Sequence, residues 1–496
     1  MPQRRTSSVL NGPWIPVHWV DDSIEGRPSA LGLRELIDRA HEVALIAVTS
    51  PPALSALYRV LTALAARVTG LDDGADWDDR RDELIAANRF PPAGIDAYFT
   101  RLADRFNLHG ERPWMQDPRL AEQCPKAAGV NKLTLGRPSG NNHSWFSPFT
   151  DADAVPITRE SALLDLLTWL YYGPSGRCSS RTVDGVTKAD TKSGPLRSTI
   201  SYHPVGRTLF ETLIAAIPYP GNAPRDPEDL CPWEASELPD PVASTPPSVR
   251  GTGSLLTARA QHAVLLVPGA DETHVVDAYI TWGLRTGVET DRVDPFLLME
   301  TSKKGEQYAR RASAGRALWR DLDGLVNHAP SSGGTRARPP AIAGLPDIEG
   351  LRVQALGFDQ DGQAKDTQLV QGLTPQVFDL YQAQDPEYAV RIGDLRRAGE
   401  TAGRLLEYAA KRAWKDFSDA SQLEECAWQR AAGAHYWPTA ESLFWQRLAD
   451  EEFDQLRRAF GGLALDAFDT VTETVVATPR GAKAVEAARL ELRQGL

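Results

Sequence analysis

The C-terminal quarter of the chain, from about residue 373 onward, contains amphipathic helical patterns and no alternation of the strand type. Apolar stripes predict one helix over residues 388–413, a second near 439–448, a third from Phe453 and a fourth after Pro479. Consecutive helices with short connections bury their stripes against one another, which favours a four-helix bundle. We place the domain boundary near residue 371, so that residues 372–496 form this bundle.

The first 371 residues mix helical and strand patterns. Leucines spaced three and four apart predict buried helices over residues 53–68 and 163–170. Apolar and β-branched runs predict strands at 14–20, 262–267 and 273–280, and a β-hairpin over 351–370 whose tight turn is Asp361–Gly362. The predicted fold class is α+β, with a large mixed α/β N-terminal domain, residues 1–371, followed by the C-terminal four-helix bundle.

Two segments of the N-terminal domain have unusual composition. Residues 218–254 are so rich in proline that we expect an extended connection without regular helix. Residues 177–207 form a basic, turn-rich island with a net charge of +4, from six cations against Asp184 and Asp190. The six cations are Arg177, Arg181, Lys188, Lys192, Arg197 and Arg207.

The charge balance argues against a protein whose whole surface coats nucleic acid. The chain has 54 Lys and Arg against 66 Asp and Glu, a formal net charge of -12. A basic stripe on an acidic body remains compatible with this balance. The four cysteines are far apart in sequence, which predicts a reduced protein without a disulfide framework. The absence of an export signal and of a long apolar run predicts a cytoplasmic protein with no membrane partner.

Motifs for catalysis or cofactor binding are missing from the sequence. There is no phosphate loop, no GxSxG elbow and no HExxH zinc helix, so we expect no catalytic residues, no cofactor and no metal site. Cys178, beside Arg177, could have a depressed pKa, and Ser144 follows His143. A stand-alone hydrolase that uses Cys178 or Ser144 is therefore kept as an alternative.

Several short motifs, in a common order along nearly the whole chain, carry a resemblance to a known family. They are LNGPWIPV (10–17), RPWMQ (112–116), GPSG (173–176), GRALWR (315–320) after Asp294–Pro295, and GFDQDGQ (357–363). In this order they resemble the CasA family, the large subunit of the type I-E CRISPR Cascade complex. Each motif is weak alone, and their shared order makes the resemblance specific.

The resemblance implies a non-catalytic subunit of an RNA-guided antiviral complex. Such a subunit recognises the protospacer-adjacent motif (PAM) in double-stranded DNA and helps to open the duplex for R-loop formation. Its implied partners are the target DNA, the guide RNA-loaded Cascade subunits and a helicase-nuclease effector that it helps to recruit. The alternative within this setting is an inert assembly scaffold.

The resemblance also assigns the loop that precedes Pro148 to PAM sensing. The loop is rich in amides and aromatic residues, which suits contact with the minor groove. Its candidates are Asn141, Asn142, Phe146 and Ser147. The family's Phe-Val-Asn tip is here Phe146-Ser147-Pro148, and because proline lacks an amide side chain, Asn141, Asn142 or the backbone would read the base edges.

The basic island lies where the family has a glycine-rich PAM loop, in which glycines allow close backbone approach and cations meet phosphates. Its candidates are Gly185, Lys188, Lys192, Gly194 and Arg197, and Arg285 is a further basic candidate for the minor groove. A second group of cations, over residues 302–320, either follows the DNA path or forms a charged surface. A solvated basic loop is the alternative for the island itself.

The predicted hairpin resembles the family's glutamine wedge, which enters the duplex under the PAM. The wedge residues implied here are Gln360, Gly362, Gln363 and Ala364. Displacing the first base pair costs a few kcal/mol, and a preformed amide-bearing tip offsets part of this cost by filling the gap. Without the family context, an exposed solvent hairpin would be the simpler interpretation.

Overall fold

The computed structural model describes residues 8–140, 147–270, 272–288, 291–302, 304–326, 336–360, 366–418 and 426–496. Helices and sheets are both present, which confirms the predicted α+β class. The strands are β1 (Ile15–Trp19), β2 (Ala30–Leu31), β3 (Val43–Ile46), β4 (Ile157–Thr158), β5 (Gly176–Val183), β6 (Val186–Thr191), β7 (Ile200–Val205), β8 (His262–Pro268), β9 (His274–Trp282), β10 (Met299–Thr301), β11 (Gln307–Ala309), β12 (Arg336–Ala337), β13 (Arg352–Gln360) and β14 (Asp366–Leu373). The helices are α1 (Leu33–Asp38), α2 (Pro51–Thr69), α3 (Trp77–Ala87), α4 (Pro92–Arg101), α5 (Leu120–Gln123), α6 (Val130–Leu133), α7 (Arg159–Tyr172), α8 (Leu209–Ala216), α9 (Thr252–Thr257), α10 (Leu322–Val326), α11 (Pro340–Ala343), α12 (Pro386–Ser418), α13 (Ala427–Ala449), α14 (Leu456–Thr472) and α15 (Pro479–Gly495).

The chain divides into two compact units. The first comprises Met1–Ala314 and Gly334–Gly372, and the second comprises Gly315–Gly333 and Leu373–Leu496. The sequence-based boundary at residue 371 put the GRALWR segment in the N-terminal domain, whereas the structure groups this segment with the C-terminal helices.

Small antiparallel sheets form the frame of the first unit. Strand β13 pairs with β7 from Arg352↔Val205 to Gly357↔Ile200, and β14 lies on the other side of β13. The predicted hairpin of residues 351–370 is thereby confirmed, although its turn, 361–365, lies outside the described residues. Strands β8 and β9 form a second antiparallel pair, which matches the two predicted strands.

Helix α2 is the central element of the first unit, because nearly all of its residues are buried. Two prolines occupy its first turn, where their missing N–H groups are not needed, and Gly70 ends it with a φ of 72°. The apolar face predicted for residues 53–68 lies within this helix. A helix that is buried all round brings any polar residue it carries into the core.

Arg59 is such a residue, and it is fully buried in α2. Its Nε and Nη2 donate to the two carboxylate oxygens of Asp294 at 3.2 and 2.9 Å, and Nη2 also donates to Ser201 on β7 at 3.0 Å. Burial raises the pKa of Asp294, but the charges of Arg59 and Arg259 and the hydrogen bonds outweigh burial and lower it. The aspartate of the Asp294–Pro295 motif is therefore a structural partner of α2.

The other family motifs also have structural roles. Gln116 of RPWMQ donates from Nε2 to the Leu108 carbonyl at 2.9 Å and accepts from the Leu266 backbone at 2.8 Å. Trp14 of LNGPWIPV donates from Nε1 to the Val9 carbonyl at 2.9 Å. These motifs join loops to strands, so they specify the fold of the first unit.

The second unit consists of long helices, as the sequence predicted. Helix α12 packs against α13, α14 and α15. The second predicted helix, near residues 439–448, is longer than expected, because α13 begins at Ala427 and continues through Pro438. Burial of Trp428, Tyr436 and Phe444 along α13 offsets the roughly 3 kcal/mol that an internal proline costs.

Glu400 of α12 fastens the GRALWR segment to the helices of the second unit. Its carboxylate accepts from Arg316 at 2.9 Å and from Arg320 at 2.7 Å. Burial raises the Glu400 pKa, and the hydrogen bond from Arg320 and the charge of Arg316 lower it further than burial raises it. Because both guanidinium groups are mostly buried in these contacts, Arg316 and Arg320 are structural and do not extend a basic surface.

No helix within the described ranges is long and apolar enough to cross a membrane. In the same ranges, no group of three or more His, Cys, Asp or Glu side chains could hold a metal ion.

We expect Arg59→Ala to lower the unfolding free energy by about 3–5 kcal/mol, because it leaves the Asp294 carboxylate buried without its partner. Urea denaturation followed by tryptophan fluorescence measures the change. The matched control is Arg34→Ala, which removes an exposed ion pair with Asp96 and should cost less than about 1 kcal/mol. Equal urea midpoints for the two variants would contradict a structural role for the buried pair.

Candidate nucleic-acid interface

The two ends of the predicted PAM-sensing loop are joined by polar contacts. Asn141, Asn142 and Phe146 lie outside the described residues. On either side of them, the Gly140 N–H donates to the Asp151 carboxylate at 2.7 Å, and the Arg137 guanidinium lies 4.1 Å from the centre of the Phe149 ring. The loop therefore starts and ends on a fixed base.

Ser147 belongs to this base, where its hydroxyl accepts from the Phe149 N–H at 3.2 Å. Asn131 of α6 donates to the Thr150 carbonyl at 2.9 Å, so a helix supports the same stem. Burial raises the pKa of Asp165 of α7 to about 7, while the positive charge of Arg137 acts in the opposite direction.

A cleft of about 110 Å³ brings the loop stem together with the base of the hairpin. We call it the stem cleft. Its polar lining consists of Asn131, Lys132, Thr134, Arg137, Ser139, Thr168, Tyr172, Arg197, Gln360 and Asp366, and the GPSG turn contributes Gly173 and Pro174. Segments that are far apart in sequence, including the PAM-sensing loop, the basic island and the hairpin, thus meet at one place.

Gln360 holds the base of the hairpin and is 7% exposed. Its Oε1 accepts from the Ser198 N–H at 3.1 Å, and its Nε2 donates to Asp366 at 2.7 Å. Arg197 pairs with the same Asp366 at 2.9 Å and donates to the Tyr172 carbonyl at 3.2 Å. Gln360 and Arg197 were predicted to contact DNA, but in the free chain their side chains are used to anchor β14. Gly362, Gln363 and Ala364 lie outside the described residues.

The first half of the basic island is a β-hairpin, which the sequence did not predict, whereas residues 192–198 are turn-rich as expected. Strands β5 and β6 pair through Thr182↔Thr187 and Val183↔Val186. Asp184 and Gly185 form the turn with φ angles of 49° and 77°, the combination that a two-residue type I′ turn requires. The Asp-Gly signal recognised at residues 361–362 was thus missed here. Gly185 is required by its positive φ in the turn, since a Cβ added there would meet no atom within 4 Å.

The cations of this hairpin have different environments. Lys188 is exposed on β6, whereas Arg181 is fully buried and pairs with Asp117 at 2.7 Å. Lys192 is exposed, and its Nζ donates to the Thr286 carbonyl at 2.9 Å. Arg285 pairs with Asp190 of β6 at 3.1 Å and keeps 30% of its side chain exposed. Lys192 and Arg285 therefore form one group at the junction of β6 with the segment after β9, and Lys188 is exposed on the same strand.

Gly194 connects this group to the stem cleft. Its N–H donates to the Gly173 carbonyl at 2.8 Å, and a Cβ at this position would lie 2.5 Å from the Tyr171 carbonyl oxygen. Gly194 is therefore needed for close packing against the end of α7, and it is buried. Sequence reasoning did not single out Lys132, Arg137 or Gly173 as site residues, and their only signal was proximity to the loop and the GPSG turn.

Cys178 does not have the properties of an activated nucleophile. It is half-buried, and its Sγ lies 3.5 Å from the Thr281 hydroxyl. Burial raises the pKa of this thiol, opposite to the depressed value considered from the sequence. Ser144 and His143 lie outside the described residues.

Comparison with known proteins supports the family resemblance that the motifs indicated. A family model described as CRISPR-associated protein Cse1 matches residues 9–474. CRISPR-associated protein CasA/Cse1 of Thermus thermophilus is 26% identical over 500 residues, covering 93% of this chain and 91% of that protein.

Solved structures are similar over nearly the full chain. A chain of a CRISPR RNA-guided surveillance complex has a TM-score of 0.88 at 39% identity, covering 98% of this chain and 99% of that one. A structure of Thermus thermophilus CasA (Cse1) has a TM-score of 0.75 at 23% identity, covering 99% and 98%, which shows a shared fold. The family match over residues 9–474 confirms the resemblance read from the motifs, and the chain belongs to the CasA/Cse1 family.

Proposed function

We propose that this chain is a non-catalytic subunit of an RNA-guided surveillance complex. In this proposal it recognises the PAM in double-stranded DNA, helps to open the duplex for R-loop formation and helps to recruit the helicase-nuclease. Membership of the CasA/Cse1 family and the 39% identity to a chain of such a complex support it. The observation that carries it furthest is the convergence of the loop stem and the hairpin base on the stem cleft.

The anchored hairpin base suits a wedge. The segment between β13 and β14 starts after Gln360 and ends before Asp366, and these two side chains bond to each other. Arg197 also binds Asp366, through an ion pair in the lining of the stem cleft. An element with fixed ends loses little conformational entropy when it enters DNA, so more of its contact energy is available for displacing a base pair.

The exposed cations suit contact with phosphates. Lys188 and Lys192 are exposed, whereas Arg285 pairs with Asp190 and keeps 30% of its side chain exposed. Gly194 joins the segment of Lys192 to the end of α7 at the stem cleft. Cations that neutralise phosphates release counter-ions, which supplies affinity without reading sequence. In a chain of net charge -12, such a local group gives the duplex a preferred side from which to approach.

An assembly scaffold without DNA contact is the second candidate, and one observation favours it. Arg181, Arg197, Arg316 and Arg320 have internal carboxylate partners, so a large part of the apparent basic surface is not available to phosphates. The two functions differ in whether this chain changes DNA binding by the assembled complex.

The first test is reconstitution of the guide-loaded complex with and without this chain. We expect PAM-bearing duplex to bind at least about tenfold more tightly when the chain is present, since each well-placed contact is worth 1–3 kcal/mol. Filter binding with matched duplexes that contain or lack the PAM measures the difference. Equal affinities with and without the chain would overturn the proposed function and favour the scaffold.

Gln363→Ala tests the wedge. We expect reduced strand opening with PAM-dependent encounter largely retained, because the amide acts only after the first base pair is displaced. Permanganate reactivity of the displaced thymines measures opening, and filter binding measures encounter. Gln371→Ala is the matched control, an exposed glutamine on β14 of the same hairpin. Unchanged thymine reactivity in Gln363→Ala would reject the wedge.

Lys188→Ala tests the phosphate contact. We expect weaker binding on every duplex sequence and a salt slope, d log K/d log [salt], that is smaller in magnitude by about 0.9, because one phosphate contact is lost. Thermal stability should not change, since Lys188 is exposed. Arg197→Ala is the contrasting variant, and we expect it to destabilise the chain because it releases Asp366 and the Tyr172 carbonyl. An unchanged salt slope in Lys188→Ala would exclude this residue from the interface.

A further inference from the structure

One exposed face of helix α12 carries cations and a tyrosine but no carboxylate. Six exposed residues follow one another at alternating spacings of four and three, which places them in a single line along the helix. At a rise of about 1.5 Å per residue, the line from residue 397 to residue 415 is about 27 Å long. We call this line the α12 stripe, and its members are Arg397, Thr401, Arg404, Tyr408, Lys411 and Lys415.

The α12 stripe is not used to pack the helices of the second unit. The apolar side of α12, with Ile392, Leu395 and Leu406, is buried, and the helix packs against α13, α14 and α15. All six side chains of the stripe are exposed to solvent, so a ligand can reach them without any rearrangement of the core.

Three of the four cations of the α12 stripe have no internal carboxylate partner. Within the described residues, Arg404, Lys411 and Lys415 form no ion pair, whereas Arg397 pairs with Asp394. This distinguishes them from Arg316 and Arg320, whose guanidinium groups both bind Glu400. Their charges therefore remain available to an anionic ligand.

The carboxylates beside the α12 stripe do not cancel its charge. Glu407 accepts from the Trp437 indole N–H at 2.9 Å, and Glu491 of α15 pairs with Arg412, which lies beside the stripe. Asp416 is exposed next to Lys415 and opposes an anion at that end. Even when Asp394, Glu407 and Asp416 are all counted, three carboxylates stand against four cations, and the face stays positive.

Tyr408 lies in the middle of the α12 stripe, with 59% of its surface exposed. In the part of the chain that the structure describes, its ring contacts no other aromatic ring and its hydroxyl has no hydrogen-bond partner. Arg404 precedes it by four residues and Lys411 follows it by three, so a cation lies on either side of the ring. Bases of single strands stack on such rings while neighbouring cations hold the backbone.

This combination favours a single strand over other anionic ligands. In a duplex the base faces are covered by neighbouring bases, so they are not available for stacking on an exposed tyrosine. An acidic polypeptide is attracted by the same cations but has no base to stack on Tyr408.

We infer that the α12 stripe binds a single nucleic-acid strand, with one base stacked on Tyr408 and phosphates paired with Arg404, Lys411 and Lys415. Charge and stacking supply the affinity, so the site does not read sequence. A displaced DNA strand and an RNA strand share this chemistry. The stripe belongs to the second unit, whereas the residues assigned to the PAM belong to the first, so the inference does not rest on PAM recognition.

Fluorescence anisotropy with labelled oligodeoxythymidylate and oligouridylate of about 15 nucleotides measures strand binding by the full chain. We expect saturable binding with a salt slope, d log K/d log [salt], of about -2 to -3, because each neutralised phosphate of a single strand contributes about 0.7. Tighter binding of one of the two strands supports the inference and identifies DNA or RNA as the source.

Two substitutions separate stacking from charge. Tyr408→Ala should weaken strand binding about five- to tenfold with an unchanged salt slope, and Tyr408→Phe should retain binding, because only the ring is needed for stacking. Lys411→Ala should reduce the magnitude of the slope by about 0.7. The matched controls are Tyr381→Ala, a tyrosine of the same unit that is 39% exposed, and Lys483→Ala, an exposed lysine of α15, and both should bind like the unsubstituted chain.

Thermal unfolding verifies that each variant is folded, as expected for exposed positions. Absence of saturable binding of either strand, or binding that Tyr408→Ala and Lys411→Ala both leave unchanged, would refute the inference. Tighter binding of an oligoglutamate of equal charge would also refute it and would indicate an acidic protein partner. Lys188→Ala should not change strand binding, so failure of this inference is distinguishable from failure of the proposed PAM function.

Discussion

The buried ion pair between Arg59 and Asp294 determines how the polar groups of the first unit can be arranged. A guanidinium in a helix that is buried on all sides requires a carboxylate and further acceptors, since an unpaired charge there costs several kcal/mol. Asp294 and Ser201 meet this requirement and attach β7 to α2. Because β7 pairs with β13, the position of Gln360 at the end of β13 follows from the same arrangement.

The use of arginine in this chain explains how an acidic protein can have a specific basic site. Several cations from basic stretches of the sequence are bound to internal carboxylates, as Arg181 is to Asp117 and Arg320 to Glu400. These pairs stabilise loops and short helices that have little apolar surface of their own. The cations that stay exposed, such as Lys188, are few, so their location matters more than the net charge.

Periodicity and turn signals predicted much of the fold, and the errors have identifiable causes. The leucine spacing of α2, the apolar stripes of the C-terminal helices and Pro479 at the start of α15 correctly predicted these helices, because such signals act within a few residues. The β5–β6 hairpin was missed because its strands are polar and exposed, so they lack the alternation that marks a half-buried strand. Helix α13 extends past Pro438 because packing on α12 outweighs the local cost of proline.

The sequence by itself determined the α+β class, the helical C-terminal region and, through the order of its motifs, the CasA/Cse1 family. Only the tertiary structure decided that Gln360 and Arg197 anchor a hairpin and that Arg181 is buried. The physical reason is the distance along the chain over which each interaction acts. Helix and turn formation depend on neighbours along the chain, whereas the burial and pairing of a charge depend on residues that approach it only after folding.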